Sequence, residues 1–242
     1  MSALIQKNWF LFKTVRIIFD DALFLNLIKE RNYLGVVLVS HQKLDVPPGV
    51  RVKKKPTVLI ELNKALEQIL QSFNDTARNE IRRTFKLPEL SFNTDHEDFS
   101  ETYALYRFFR KRKGLSTRGK DFFKDALFFK AYWNGELISV ITCYAAHPGI
   151  RIQNIFSKTA EGDKELRRMI GYATRRLVYE ICAYGQERGF SFLDLAGINL
   201  TDPQKSGITA FKRSFGGDIA DEYTYTYRSP MFSALMKLKK IL

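Results

Sequence analysis

An arginine and a glycine stand three residues apart in the segment Arg168-Met169-Ile170-Gly171-Tyr172-Ala173. A helix that begins at such a turn presents unpaired N–H groups, and its dipole favours a negative charge at that end. Glycine lets the backbone approach a phosphate, and a flanking arginine adds a charge-assisted hydrogen bond. The pattern therefore predicts a pyrophosphate site at Arg168, Gly171, Tyr172 and Ala173. The alternative is a small residue inside a helix, present so that another element can pack closely.

An aspartate and a pair of arginines offer further chemistry. Asp194 stands near the end of the apolar strand pattern 191–195, where a carboxylate could position an amine or accept its proton. The alternative is an aspartate that caps the following loop. Arg78 and Arg82 lie four residues apart, hence on one face of a helical pattern, and could bind an anionic substrate. A solvated helix face is the alternative for these two.

Three segments together resemble the GNAT acyltransferase superfamily and, within it, the FemAB-like branch. The turn matches the Arg/Gln-x-x-Gly-x-Gly/Ala motif of that superfamily. The strand end Asp194-Leu195-Ala196-Gly197-Ile198 resembles the branch's Asp-Phe-Gly-Gly-Ile, with Ala196 in place of the first glycine, and Phe211-Lys212-Arg213-Ser214-Phe215-Gly216-Gly217 follows it. Arg78-Asn79-Glu80-Ile81-Arg82-Arg83 resembles the branch's early helix. The likeness covers residues 57–242, whereas Fem-type transferases usually carry two such domains.

The resemblance implies an N-acyltransferase that moves an acyl or aminoacyl group from a thioester or ester donor to an amine. The donor would be acyl-CoA, bound at the turn, or aminoacyl-tRNA. The acceptor would be an amino sugar, a peptide or a cell-wall (peptidoglycan) precursor. For Lys212, with Arg213 beside it, the resemblance implies contact with a phosphate or a polarised carbonyl. A solvated helix face is the alternative for both.

The net charge of +13 favours a polyanionic partner such as RNA, a nucleotide cofactor, a sugar diphosphate or an anionic membrane. The basic residues cluster in Arg51–Lys55 and Arg107–Lys120. This charge favours aminoacyl-tRNA as donor, because phosphate neutralisation dominates RNA affinity, whereas the turn favours acyl-CoA. Both donors stay open. The alternative function is a non-catalytic basic adaptor that binds RNA or an anionic membrane surface.

The elements that must position these residues are predicted from periodicity. Asn134-Gly135 between two β-rich runs predicts a hairpin over 126–146. A strand at 150–157, a helix over 164–188, a strand at 191–195 and a helix from about 203 to 215 follow. The order predicts an α/β fold of the α+β type, the GNAT fold, with a mixed, mostly antiparallel twisted sheet and helices on both faces. We expect one domain over 1–242, with 1–56 as an N-terminal strand and helix portion and 231–242 as a C-terminal amphipathic helix.

Location and metal content are also predicted from the sequence. No stretch is long and apolar enough for a transmembrane helix or a signal peptide. Cys143 and Cys182 stand among apolar neighbours, which favours free thiols and the cytoplasm. The helix 231–242 could touch a membrane surface or dock on the core. The histidines lack metal-ligand spacing, so no metal is expected; they are His41, His96 and His147.

Overall fold

A computed structural model describes residues 3–9, 12–95 and 99–233 of the chain. Its strands are β1 Ala3–Trp9, β2 Phe12–Ile18, β3 Gly35–Ser40, β4 Arg51–Glu61, β5 Leu90–Asp95, β6 Leu127–Trp133, β7 Glu136–Ala146, β8 Gly149–Ser157, β9 Phe192–Asp194 and β10 Asp218–Arg228. Its helices are α1 Asp21–Glu30, α2 Leu66–Ser72, α3 Asp75–Thr84, α4 Ser100–Arg112, α5 Lys164–Glu187 and α6 Ser206–Arg213, with 3₁₀ helices at Lys120–Phe123 and Pro203–Lys205.

The ten strands form one sheet in the order β1-β2-β3-β10-β4-β9-β8-β7-β6-β5. Neighbouring strands run antiparallel except for the pairs β2–β3 and β8–β9, which are parallel. On one face, α5 packs with α2 and α3 over a core that includes Ile60, Ile138 and Leu177. On the other face, α4 packs over a second core that includes Val140 and Phe156. The predicted mixed, mostly antiparallel sheet with helices on both faces is therefore confirmed.

The parallel strands β8 and β9 pair over only three residues each before they separate. Gly149–Arg151 pairs with Phe192–Asp194, after which β9 ends while β8 continues to Ser157. Ala196 turns the chain away, with a left-handed φ of 62°. The register of β8 against β7 shifts in the same region, which leaves Gln153 as an extra residue. The separation opens a slot between the two strands.

Several predicted elements agree with the structure, and one predicted boundary does not. The hairpin, the strand at 150–157 and the long helix at 164–188 are confirmed as β6–β7, β8 and α5. Strand β4 begins at Arg51, so the boundary predicted at residue 56 falls inside it. Residues 234–242 of the predicted C-terminal helix lie outside the described residues, as does His96.

No helix within the described ranges has the length and apolar character that crossing a bilayer requires.

Candidate active site

A buried cluster of charged side chains lies where β4, β8, β9 and β10 meet. Asp194, at the end of β9, is fully buried and pairs with Arg151 of β8. The Arg151 guanidinium also lies 2.7 Å from Glu222 of β10, which is equally buried. Lys55 of β4 approaches the same Glu222 carboxylate at 3.0 Å. Charges withdrawn from water need partners, and each of these four has at least one.

Asp194 accepts hydrogen bonds from several directions besides Arg151. The Thr57 hydroxyl donates at 2.5 Å and the Ala196 backbone N–H at 2.8 Å, while Nε2 of His41 lies 3.3 Å away. Burial by itself raises the pKa of Asp194, but the charges of Arg151 and His41 lower it well below its usual range. A carboxylate with so low a pKa is a weak base. These contacts suit Asp194 to positioning the turn after β9 better than to the predicted role of base.

The turn that follows β9 binds the side chain of Lys212. Its Nζ donates to the carbonyl oxygens of Ala196 at 3.0 Å and Gly197 at 2.9 Å. Ala196 adopts the left-handed backbone that favours glycine, which explains why the resembling motif has glycine there. A Cβ on Gly197 would stand 2.8 Å from the flexible end of the Lys55 side chain, which would have to shift to admit it. The turn therefore directs two carbonyls at one ammonium group.

The environment of Lys212 also changes its acidity. Burial lowers the pKa of Lys212 to about 8, against the opposing effect of Asp194, and the positive charges of Arg151 and Lys55 lower it further. A lysine with a pKa of about 8 is charged at neutral pH yet can give up its proton. Such a group can act as a general acid and can stabilise negative charge on oxygen.

Lys212 lines the slot between the separated strands, which is a cavity of about 580 Å³. Gly171 of α5 also lines the slot, and polar groups come from Gln153 and Asn154 of β8. None of the described residues that line the slot is an aspartate or a glutamate. Its apolar lining residues are Phe109, Ile152, Ile155, Phe156, Ile170, Leu195, Ala196, Ile208 and Phe211.

The segment Arg168–Ala173 does not begin a helix, contrary to the prediction for it. Helix α5 begins at Lys164, so the segment lies in its second and third turns, where the amides bond within the helix. The N-terminus itself is capped by Asp163, whose carboxylate accepts from the Leu166 N–H at 2.8 Å. Glu165 adds a second acid in the first turn. Two carboxylates therefore lie at the helix start, and one of them already accepts from an amide that the predicted pyrophosphate site would use.

The other residues of that segment have structural partners. Arg168 pairs with Glu165 at 3.5 Å on the surface, and Ala173 is fully buried in the core. The Tyr172 hydroxyl accepts from Arg83 at 2.9 Å. Among the four residues predicted for the turn, Gly171 is the one that reaches the slot.

A substitution at Gly171 tests directly whether this residue lies inside helix α5. A Cβ there would meet only the Arg175 side chain, at an ordinary contact distance of 3.6 Å. We expect Gly171→Ala to raise the free energy of unfolding by about 0.5–1 kcal/mol, because alanine restricts the unfolded chain and favours helix. Urea denaturation of both proteins measures it. A loss of stability would contradict the interior position.

The predicted substrate-binding arginines do not meet at the slot. Arg78 donates to the carbonyls of Gln71 and Phe73, both at 2.9 Å, and so ties α3 to the end of α2. Arg82 pairs with Glu67 at 3.2 Å on the surface. Arg213 is exposed at the end of α6. Arg78 therefore has a structural role, and Arg82 lies on a solvated helix face. None of the three arginines lines the slot.

A groove with five basic residues runs along the sheet beside the charge cluster. Two adjoining cavities of about 420 and 400 Å³ share Thr226 and Arg228 in their walls. We call this the basic groove; its cations are Arg16, Arg51, Lys53, Arg118 and Arg228. Alternation along β4 puts Arg51, Lys53 and Lys55 on one face, so the groove leads toward the cluster. Lys55 and Arg51 are four residues apart, or roughly 13 Å along the strand.

No local sequence pattern marks Arg151, Glu222 or His41 as site residues. They lie on strands β8 and β10 and at the end of β3, and the strand order brings them together. A signal for Lys55 did exist, since basic residues at every second position of a strand predict one charged face.

Comparisons with known proteins identify the fold. No family model matches the sequence, and no curated protein matches it significantly. The structure of FemX superposes with a TM-score of 0.67 at 14% identity, over 97% of this chain and 85% of FemX. A C-terminal domain described as lysylphosphatidylglycerol synthetase, from Agrobacterium fabrum, gives 0.57 at 12% identity, over 98% and 84%. The L-PGS structure from Bacillus licheniformis gives 0.55 at 14% identity, over 98% and 84%. The chain therefore has the predicted FemAB-like fold, and a likeness over 97% of the chain reaches beyond the predicted residues 57–242.

Proposed function

We propose that this chain is an aminoacyltransferase that moves an aminoacyl group from tRNA to an amine on a phosphate-bearing acceptor. One observation carries the proposal. The Lys212 ammonium is fixed by the Ala196 and Gly197 carbonyls in the wall of the slot where β8 and β9 separate. That position is open to a substrate and adjoins the buried charge cluster.

The chemistry needs little beyond this lysine and correct placement of the two substrates. The neutral amine attacks the ester carbonyl, the N–C bond forms, and the carbonyl oxygen becomes negative. The C–O bond to the ribose then breaks. Lys212, as ammonium, stabilises the oxyanion and gives its proton to the departing ribose oxygen. The neutral lysine takes up the proton that the amine nitrogen loses, and this restores the starting state.

The donor side favours tRNA over acyl-CoA. The carboxylates of Asp163 and Glu165 at the start of α5 repel a pyrophosphate, whereas a net charge of +13 attracts RNA. Acyl-CoA is the second candidate donor, because Gly171 does line the slot. The comparisons give the non-catalytic adaptor no support.

The basic groove supports an acceptor that carries phosphate. Its arginines suit the bidentate recognition of phosphate oxygens. A phosphate bound in the groove would hold the rest of the acceptor along β4, with its amine toward Lys212. One of the structural neighbours is named for lysylphosphatidylglycerol, an aminoacyl group joined to a phosphate-bearing lipid. This class of acceptor includes peptidoglycan precursors and amino lipids.

A thermal-unfolding panel tests the choice of donor. The ligands are bulk aminoacyl-tRNA with a non-hydrolysable amide link, uncharged tRNA and acetyl-CoA, each at two salt concentrations. A ligand at a hundred times its Kd stabilises the protein by about 2.7 kcal/mol, which raises Tm by several degrees. We expect the charged tRNA to stabilise most, less so at high salt. Stabilisation by acetyl-CoA alone would transfer the proposal to acyl-CoA, and equal stabilisation by charged and uncharged tRNA would contradict recognition of the aminoacyl group.

A further inference from the structure

Two large apolar side chains stand exposed next to each other at the C-terminal end of α4. Phe108 is 49% exposed and Leu115 is 46% exposed. Together with Ala104 they line an open cleft of about 600 Å³ on the outer side of the helix. We call these three residues the α4 patch. The inner side of the same helix is already packed, because Leu105 and Tyr106 are buried in the core.

The α4 patch is held in place by backbone hydrogen bonds. Gly114 has a left-handed φ of 62°, and its N–H donates to Lys111 at 3.1 Å. The Leu115 N–H donates to the Arg110 carbonyl at 2.9 Å. The Arg110 side chain in turn donates to the Ser116 carbonyl at 2.9 Å. This helix ending fixes Leu115 beside Phe108 although both are exposed to water.

The surroundings of the α4 patch are strongly positive. The segment 107–120 contains seven lysines and arginines and no acidic residue. Arg107 and Lys111 line the same cleft as Phe108 and Leu115. One of the seven, Arg112, is paired with Glu161 of the loop before α5. Exposed apolar groups flanked by cations are the pattern of a surface that inserts shallowly between anionic lipid headgroups.

We propose that the α4 patch docks on an anionic lipid bilayer, with Phe108 and Leu115 entering the headgroup layer and Arg107 and Lys111 contacting lipid phosphates. An RNA would use the cations and Phe108 but has no use for Leu115 and Ala104, which a bilayer accommodates. Phe109 and Lys113, from the same segment, line the slot. A docked protein would therefore hold the mouth of the slot near the membrane. The inference goes beyond the proposed function and stands without it.

Vesicle flotation tests this docking with the full chain. We expect the protein to float with phosphatidylglycerol vesicles at low salt and much less with phosphatidylcholine vesicles. The double variant Phe108→Ala/Leu115→Ala should lower the partition coefficient at least about fivefold. The matched control is Ile219→Ala, which removes an apolar group that is 50% exposed but lies between Asp218 and Asp221. We expect this control to float as the unchanged protein does.

Other outcomes would overturn the docking proposal. They include failure of the unchanged protein to float with phosphatidylglycerol, and equal flotation by the double variant. A third variant, Arg107→Gln/Lys111→Gln, distinguishes docking on lipid from binding of RNA. Weaker tRNA binding by that variant with undiminished flotation would assign the cations to RNA and also contradict the proposal. Circular dichroism of each variant verifies that it has folded.

Discussion

Replacement of Lys212 by methionine is expected to lower the rate of aminoacyl transfer by about 10³-fold, the range for losing a general acid that also stabilises an oxyanion. Methionine has a similar volume but neither the charge nor the proton. The substitution removes the ammonium that donates to the Ala196 and Gly197 carbonyls, so Tm is measured in parallel. The control Lys205→Met removes an exposed lysine that pairs with Asp202, and it should transfer normally. Normal transfer by a folded Lys212→Met protein would show that Lys212 has no part in the mechanism.

The pH dependence of transfer follows from the same residue. Because burial lowers the pKa of Lys212 to about 8, the ammonium form predominates below that pH and is lost as pH rises through it. We expect kcat/KM to fall above about pH 8 after its initial rise, since the acceptor amine must also lose its proton. The residual activity of Lys212→Met should lack the fall. A fall that persists in the variant would assign it to another group.

Replacement of Arg151 by leucine is expected to lower the free energy of unfolding by about 3–5 kcal/mol, because it leaves buried carboxylates without their shared cation. Asp194 and Glu222 are both fully buried and both contact Arg151. Urea denaturation measures the loss. The control Arg82→Leu breaks an exposed pair with Glu67, so it should cost at most about 1 kcal/mol. Similar losses in the two variants would show that the cluster is not a buried charge network.

Acid sensitivity gives a second readout of the same cluster. The pKa of Asp194 lies below its usual range in the folded chain, so the unfolded chain binds protons first as pH falls. Its contribution to stability is therefore present at neutral pH and is lost progressively in acid. Asp194→Asn should be less stable at neutral pH, and its remaining stability should depend less on acid.

Local sequence patterns predicted much of the fold, because the signals for these elements are short-range. Asn134 and Gly135 both have positive φ in the hairpin turn, as the Asn-Gly pair predicts. The long helix over 164–188 was confirmed to within one residue. The motif inside it was placed wrongly at a helix start because Asp163 gives the stronger cap, five residues before Arg168.

The site was predicted less well, because its residues come together through strand order. Lys212 and Asp194 were singled out from a family-like segment, and the structure brings both to the same turn. Arg151 and Glu222 have no local pattern that marks them, and they meet only because β10 lies beside β4 while β9 lies between β4 and β8. Long-range pairing of this kind is set by the whole sheet. The arginines of α3 were misassigned for a related reason, since their partners in and beside α2 could not be foreseen.

The most direct test of the account is a transfer reaction followed by mass spectrometry. The protein is incubated with bulk tRNA charged with isotopically labelled amino acids and with phosphate-bearing amines that include an amino lipid and a peptidoglycan precursor. The account predicts a labelled aminoacyl amide on one of these acceptors, formed with tRNA as donor and reduced about 10³-fold by Lys212→Met. The absence of any labelled product from the charged tRNA, or its formation at the same rate with Lys212→Met, would contradict it.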